Sequence, residues 1–490
     1  MSRFFAIDFR SLAAFRVGVA GLVLADLALR AADLREHYSE EGVLPRADLL
    51  AHPVGRWLRF FSLHLLGDSV EFQALLFGLA ALLALGMALG YRTRFCAVAV
   101  WVLTLSLQNR NPLVHYGGDN FLALMLFWCA LLPLGARYSL DSARGRGAPP
   151  GTNRVLSWAS AGLLIQIAVI YFFSALHKTG PEWLPDGTAI FYVLHLEQFA
   201  FPLAFVLREF DGALRLGTYG SHALELLAPL LFFAPRYTTV ARLVGAASIF
   251  AFHLGIALTV YLVLFNWIGM LTVVVFLPAW FWDELLPRLR GRGRERPLLA
   301  SLRQADGRAP TGAALPQSRG LSVAAALALA FIVFWNTATL NEGWSEAIEG
   351  QPVLRWVTAP GLALRLGQTW SMFSPSPPRQ TTWYVIVGVR GDGTRVDLQR
   401  GGAPLFDQPR SRADYNRSGR WERLLTYGPK SEYAEAYRGV AGYYCRAAGA
   451  DPESGTALAR VQIFRRILRT RLEGEPVPDR RRLVYRMRCP

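Results

Sequence analysis

One lysine lies where a long apolar segment meets polar sequence, in a chain that otherwise takes its cations from arginine. Of the 52 Lys and Arg residues only Lys178 and Lys430 are lysines, and Lys178 directly follows an apolar run. Arginine stays protonated in proteins, whereas burial can lower the pKa of a lysine until it accepts a proton. Lys178 is therefore a candidate catalytic base. The alternative is a membrane-anchoring cation whose ammonium group reaches the headgroup level.

Other titratable side chains lie near the ends of neighbouring apolar segments. His115 and Asp119 precede one segment, and Asp119 could instead cap the N-terminus of that helix. His222 and Glu225 are three residues apart, so they share a helix face and could simply bond each other. His253 could be a core histidine that is bonded to a neighbouring carbonyl group. Because ionisable groups inside a membrane are costly, all of them are candidate functional residues.

The elements that must position these residues are long apolar helices. Of the 490 residues 52% are hydrophobic, and stretches of about 20 apolar residues, the length that crosses a bilayer, recur along the chain. The pattern predicts a polytopic α-helical membrane protein of about nine transmembrane helices with a C-terminal extramembrane domain of mixed α+β structure. The predicted spans lie near 11–31, 70–90, 94–109, 119–136, 155–177, 218–235, 239–257, 259–282 and 320–339.

The net charge of +16 could indicate a nucleic-acid partner, but its distribution argues against one. The arginines concentrate in loops between spans, as expected for loops that face the cytoplasm. We therefore expect an integral membrane protein with a cytoplasmic N-terminus and an external C-terminal domain. Lys178 and the acids and histidines named above then all reach the external leaflet. The arginines that set this orientation are Arg92, Arg94, Arg144, Arg146, Arg154, Arg236, Arg242, Arg288, Arg290, Arg292, Arg294 and Arg296.

This pattern divides the chain into four parts. Residues 1–284 form the polytopic region, 285–319 a cytoplasmic arginine-rich linker, 320–339 the last span and 340–490 the external soluble domain. Alternating apolar residues and a Gly391-Asp-Gly393 turn predict a hairpin in the external domain. The hairpin strands are predicted at 383–390 and 394–398, a helix at 431–448, and further strands at 457–468 and 481–488.

The four cysteines divide between these parts. Cys96 and Cys129 lie in spans, where they are most simply buried small apolar residues. Cys445 and Cys489 lie in the external domain, where a disulfide can persist, so they are disulfide candidates. No group of His and Cys residues has metal-ligand spacing, so we expect no metal site.

Several stretches of the polytopic region together resemble the transmembrane domain of vitamin K-dependent gamma-carboxylase, called the HTTM domain in its bacterial relatives. The segment around Lys178 is similar to the catalytic segment of that family, with Lys178 at the position of its base. Phe252-His253 is similar to the helix that holds a catalytic-site histidine. The stretches are Ser11–Asp26, Leu83–Arg92, Asp119–Asp141, Tyr171–Trp183 and Phe252–Met270.

The resemblance implies a reaction. In that family the lysine deprotonates reduced vitamin K, oxygen addition yields a strong alkoxide base, and a substrate glutamate loses a proton and captures carbon dioxide. It thus implies a vitamin K or menaquinone-type quinone, oxygen and carbon dioxide, and a secreted protein or peptide as substrate. Lys178, His253, His115 and Asp119 would be catalytic. The pocket would be formed by His177, Trp183, His222 and Glu225.

The chain departs from the family at two positions, and two rival functions remain open. The family has two adjacent lysines where this chain has His177-Lys178, and a histidine where it has Asp119. A non-catalytic membrane protein that binds or transports a lipid or quinone is one rival. Transport predicts polar groups that continue to the cytoplasmic face, whereas here they concentrate at one end. An assembly factor for secreted proteins is the other rival.

Overall fold

The computed structural model consists of a helical bundle and a C-terminal domain that contains a sheet. It describes residues 2–51, 62–291, 317–341, 351–409, 419–427, 435–449, 457–474 and 476–490, with short stretches at 297, 300–302, 305, 313–315 and 343–344. The bundle helices are α1 (Phe9–Ala31), α2 (Val70–Leu89), α3 (Thr93–Arg110), α4 (Gly117–Leu131), α5 (Trp158–His177), α6 (Asp211–Phe232), α7 (Thr238–Thr259), α8 (Phe265–Thr272, continued as a 3₁₀ turn to Phe276) and α9 (Arg319–Ala338).

The count of nine transmembrane helices is not confirmed. Within the described residues five helices are long and apolar enough to cross a membrane: α1, α2, α5, α7 and α9. A sixth span results if Phe265–Phe276 and Phe281–Leu289 are taken together, although these two helices are bent by 95°. Pro278 lies in the break between them and cannot continue a helical hydrogen-bond ladder, which accounts for the bend.

The other predicted spans are helical but differ from a simple apolar rod. Helix α4 has 15 residues, or about 22 Å at 1.5 Å per residue, which is shorter than the hydrocarbon core. Helix α3 ends in the buried polar run Gln108-Asn109-Arg110, and α6 carries Glu225 and an internal Pro229. The polar groups of α3 are bonded inside the protein: Gln108 donates to the carbonyl of Asp119, and Arg110 donates to the carbonyls of Leu44 and Ser39.

Contacts between helix ends bring together the starts of α1, α3, α5, α7 and α9 and the ends of α2, α4, α6 and α8, so these nine described helices run alternately between two ends of the bundle. At the arginine end, which carries Arg92 and Arg146, strands β1 (Ile7–Asp8), β2 (Thr152–Val155) and β3 (Ala313–Leu315) form a small sheet. Strand β3 lies in the predicted linker, so this part of the linker is paired. Arg292, Arg294 and Arg296 of the linker lie outside the described residues. We call the opposite end, where α5 stops at Lys178, the lysine end.

The strands predicted for the C-terminal domain are present in the structure. Strands β4 (Gln380–Arg390) and β5 (Arg395–Asp397) form the expected hairpin, and β6 (Leu458–Arg469) pairs along the whole of β4. The short β7 (Val477–Pro478) and β8 (Arg482–Arg488) both pair with β6. The domain also contains helices α10 (Pro352–Ala363), α11 (Gly419–Tyr427) and α12 (Glu435–Gly449).

A disulfide joins the two cysteines of the C-terminal domain. Cys445 on α12 and Cys489 after β8 have Cα atoms 5.3 Å apart and are bonded, which closes a loop of 44 residues. Pairing of β8 with β6 brings Cys489 beside α12, as the sequence pattern anticipated. Cys96 and Cys129 are free and buried. Oxidation of Cys445 and Cys489 in the membrane-extracted protein stays a prediction.

Candidate functional site

Lys178 occupies the position where α5 ends. The helix begins with reciprocal bonds between Ser157 and Ser160, in which each hydroxyl accepts the backbone N–H of the other residue. It ends at His177, and the N–H of Lys178 bonds to the carbonyl of Ala175 at 3.1 Å. The following Gly180-Pro181 cannot continue the helix. This stop leaves the Lys178 side chain at the lysine end, where it is 7% exposed.

The Lys178 amine is held by a carboxylate and an aromatic ring. Its Nζ donates to Oε2 of Glu225, which lies on α6 and is 4% exposed. The Ser174 hydroxyl donates to Oε1 of Glu225 at 3.3 Å. The Trp183 ring centroid lies 4.5 Å from Nζ, within cation–π range. The lysine is therefore a buried ion-pair member, which excludes a freely snorkelling anchor.

Trp183 and His222 of the predicted pocket lie beside this ion pair, whereas His177 is its neighbour in sequence. Trp183 donates from Nε1 to the carbonyl of Phe373 at 3.1 Å, and its ring lies 6.3 Å from that of His222. Within the described residues, Nδ1 of His222 and Nε2 of His177 are enclosed and have no hydrogen-bond partner. Each nitrogen could bond to a ligand that reaches it.

His253 joins the same site through Tyr171. Its Nε2 lies 2.9 Å from the Tyr171 hydroxyl, and the ring is 1% exposed. Tyr171, Ser174 and Lys178 are spaced at i, i+3 and i+7, so they lie along one face of α5. This face connects His253 to the Glu225–Lys178 pair, and the spacing was readable in the sequence although neither Tyr171 nor Ser174 was singled out.

Gly269 on α8 makes room for the imidazole. A Cβ at this position would lie 2.3 Å from Cε1 and Nε2 of His253, and no such contact is tolerated. The glycine is therefore required for His253 to reach Tyr171.

Asp119 belongs to a different cluster. It is the third residue of α4, and its Oδ2 accepts the N–H of Tyr116 at 3.2 Å, as in the helix-capping alternative. Its Oδ1 accepts from Arg30 at 2.6 Å and from Arg420 at 3.0 Å. The prediction that Asp119 lies beside Lys178 in one pocket does not match these contacts, because both carboxylate oxygens are already bonded to structural partners.

Asp26 completes this second cluster, which we call the arginine latch (Asp26, Arg30, Asp119 and Arg420). Asp26 accepts from Arg30 and Arg420, each at 2.7 Å, and Arg30 also donates to the Tyr38 hydroxyl at 2.7 Å. One partner of Asp26 is on its own helix and the other is in the C-terminal domain. Arg420 lies on α11, so the latch fastens this domain to the bundle.

His115 lies beside the latch and not beside Lys178. Its backbone carbonyl accepts from Nε of Arg423 on α11 at 2.8 Å. Burial holds the pKa of the His115 imidazole well below 6.5, and the nearby Arg365 lowers this pKa further. His115 is therefore a neutral imidazole at neutral pH. Nothing in the sequence around His115 indicated that a helix some 300 residues later covers it.

One segment of the C-terminal domain crosses the lysine end. We call it the roof segment (residues 365–381). Near its start Arg365 donates to the Asn109 side chain at 2.8 Å. Phe373 accepts from Trp183, and the carbonyl of Pro375 accepts from the N–H of Gly180 at 3.0 Å. The roof segment thus lies against the loop that follows Lys178.

Glu182 ties this loop to the roof segment. Its carboxylate accepts from the Ser376 hydroxyl at 2.6 Å and from the Arg379 guanidinium. Burial would raise the pKa of Glu182, but the bonds from Ser376 and Arg379 outweigh it and hold the pKa below 4.5. Neither Glu182 nor Arg379 was predicted, because no local pattern links residues so distant in sequence.

Comparisons with known proteins place the bundle in one family. The family model described as the HTTM domain matches residues 4–280, which include all the bundle helices except α9. No characterised protein and no solved structure matches the chain significantly.

Proposed function

We propose that this chain, which belongs to the HTTM domain family, is an integral membrane enzyme similar to vitamin K-dependent gamma-carboxylase. It would use a reduced quinone of the vitamin K or menaquinone type and oxygen, with Lys178 as the base that deprotonates the quinone hydroxyl. Its product would be a carboxylated carbon acid, such as a glutamate side chain of a secreted protein or peptide, formed with carbon dioxide.

The single observation that carries this proposal is the buried Lys178–Glu225 pair. Burial disfavours the charged form of a lysine, and a neutral lysine can accept a proton near neutral pH. Glu225 accepts from the Lys178 amine, so it would fix the position of Nζ relative to a bound quinone hydroxyl.

The residues around the pair fit a quinol substrate. The enclosed His177 Nε2 and His222 Nδ1 lack partners within the described chain and could bond to two hydroxyl groups. Trp183 offers an aromatic face beside Lys178. When bound, the reduced quinone and oxygen would supply the strong base that a carbon acid requires. His253, bonded to Tyr171, can stabilise charge that develops in a water-excluded site.

The positions of the arginines support one orientation of the chain in the membrane. Nine alternating helical segments, with arginines gathered at the end opposite Lys178, support a cytoplasmic N-terminus and an external C-terminal domain. The site would then face the outside of a bacterial inner membrane, where a secreted substrate can reach it.

The test is to incubate purified protein with reduced menaquinone and oxygen and to measure quinone epoxide. We expect epoxide from the natural chain and none above background from Lys178→Ala. Binding of the reduced quinone without epoxide formation by the natural chain would contradict an enzyme.

The Lys178–Glu225 pair also supports a second candidate function. A buried ion pair can also be a structural element of a protein that binds a quinone or lipid without turnover. Stable co-purification with one secreted protein, without turnover, would instead single out an assembly factor.

A further inference from the structure

A cavity of about 560 Å³ opens at the arginine end, far along the bundle from Lys178. It lies between the first turn of α3, the end of α4 and the first turn of α9. Its volume is within the range of about 300–1,000 Å³ that is usual for small-molecule sites. Nothing in the proposed chemistry at Lys178 uses this cavity.

The polar part of the lining is cationic. Arg92, Arg94 and Arg146 line the cavity, and all three are exposed at its rim. The acidic residue in the lining is Asp141, whose carboxylate is already engaged. It accepts the N–H groups of Arg92 and Thr93 at 3.0 and 2.8 Å and the Thr93 hydroxyl at 2.6 Å. Three guanidinium groups and one carboxylate leave the lining with a net positive charge, which attracts an anion.

Much of the remaining lining is apolar surface of the helices α3, α4 and α9. Phe95 of α3 is 63% exposed, and Leu131 and Leu321 add aliphatic surface from α4 and α9. A cationic rim beside exposed apolar helix surface matches a molecule with an anionic head and a hydrocarbon tail. A soluble anion would use the arginines but would leave the apolar wall uncovered.

The frame of the cavity is fixed by hydrogen bonds. Gln317, just before α9, donates to the carbonyl of Leu131 at 3.1 Å and accepts the N–H of Ala159 at 3.4 Å. Behind the wall, Arg16 donates to the carbonyl of Leu134 at 2.8 Å. The cavity is thus a formed site at the junction between α9 and the rest of the bundle.

We propose that this cavity binds an anionic phospholipid, with its phosphate at Arg94 and Arg146 and an acyl chain along Phe95 and Leu131. Basic pockets between membrane helices on the cytoplasmic side bind anionic headgroups, and the cytoplasmic leaflet is rich in them. The inference rests on the proposed membrane orientation but not on the quinone chemistry. A bound lipid would fasten α9 to α3 and α4.

The test measures phosphatidylglycerol binding to the delipidated full-length protein in detergent by native mass spectrometry. Each arginine near the headgroup level contributes enough that losing two should weaken binding about tenfold to thirtyfold. We expect this loss for Arg94→Gln/Arg146→Gln. The matched control is Arg236→Gln/Arg290→Gln, which removes the same charge from exposed positions at the same end and should bind like the natural chain.

Three results would overturn the proposal. The control variant could lose affinity as much as Arg94→Gln/Arg146→Gln, which would indicate general surface attraction. Phosphatidylcholine could bind as tightly as phosphatidylglycerol, which would exclude recognition of the anion. Glycerophosphate could compete at equal concentration, which would identify a site for a free phosphate ester.

Discussion

The two charged clusters at the lysine end differ in how completely their polar atoms are paired. In the arginine latch two arginines face two aspartates, and each carboxylate accepts from both guanidinium groups. Around Lys178 one ion pair is accompanied by nitrogens of His177 and His222 that, in the described part of the chain, have no partner. Beside the latch Nε2 of His115 also has none, but the four latch residues bond one another. Both clusters are buried, so burial alone does not distinguish them.

This difference separates a structural role from a chemical one. A saturated buried network leaves no atom for a ligand, and its loss exposes an uncompensated charge. A buried cluster with unpaired polar atoms costs stability unless a ligand bonds to those atoms. Such clusters are common at functional sites. The family resemblance placed Asp119 among catalytic residues, but its contacts place it in the latch.

The largest expected effect on stability is the loss of Asp119. Asp119→Asn leaves Arg30 and Arg420 buried with Asp26 as the remaining carboxylate of the latch, so we expect a loss of about 3–5 kcal/mol. Chemical denaturation in detergent measures it. The matched control is Asp283→Asn, which removes an exposed partner of Arg10 and should cost at most about 1 kcal/mol. Equal effects for the two variants would remove the distinction between the latch and a surface ion pair.

Loss of the disulfide should have the next largest effect. Cys445→Ser/Cys489→Ser opens a loop of 44 residues and should cost about 2–4 kcal/mol. The disulfide lies in the domain that carries Arg420. We therefore expect hydrogen exchange in this variant to become faster around the arginine latch before it does so around Lys178. Hydrogen exchange that is fastest around Lys178 would contradict that order. Finding both thiols free in membrane-extracted protein would show that the disulfide does not form.

Gly269→Ala tests the Lys178 side of the comparison. The added Cβ meets the His253 ring, so we expect a loss of about 1–3 kcal/mol together with lost epoxide formation. Gly255→Ala is the control, because nothing lies within 4 Å of its Cβ, and it should be neutral or stabilise by up to about 1 kcal/mol. Normal turnover in Gly269→Ala would show that the position of His253 does not matter.

The smallest effect concerns the bond between Glu182 and the roof segment. The folded-state pKa of Glu182 is lowered, so its contribution to stability is complete above about pH 4.5 and is lost as the pH falls through the folded value. The stability difference between the natural chain and Glu182→Gln should therefore be constant near neutral pH and shrink in acid. A difference that grows as the pH falls below 4.5 would contradict the sign of the shift.

Features that depend on neighbouring residues could be predicted from the sequence, whereas features that depend on contacts between residues distant in sequence could not. The hairpin at Gly391-Asp-Gly393, the strands around it and the position of Lys178 at a helix end follow from local patterns, and the structure has them. The Arg420 contacts could not be predicted, because a surface-like arginine in a polar domain gives no sign that it is buried against α1. The count of nine spans stays unconfirmed, because the buried polar end of α3 and the shortness of α4 keep these helices from meeting the length and hydropathy of a membrane-crossing helix.

The most direct test of the central claim compares Lys178→Arg with Lys178→Ala in the quinone epoxide assay. Arginine keeps the positive charge beside Glu225 but cannot give up its proton at neutral pH. If Lys178 is the base, both variants fold and insert, and both lose epoxide formation. Near-normal activity of Lys178→Arg together with impaired Lys178→Ala would show that the site needs only a cation at this position, and the proposed mechanism would be wrong.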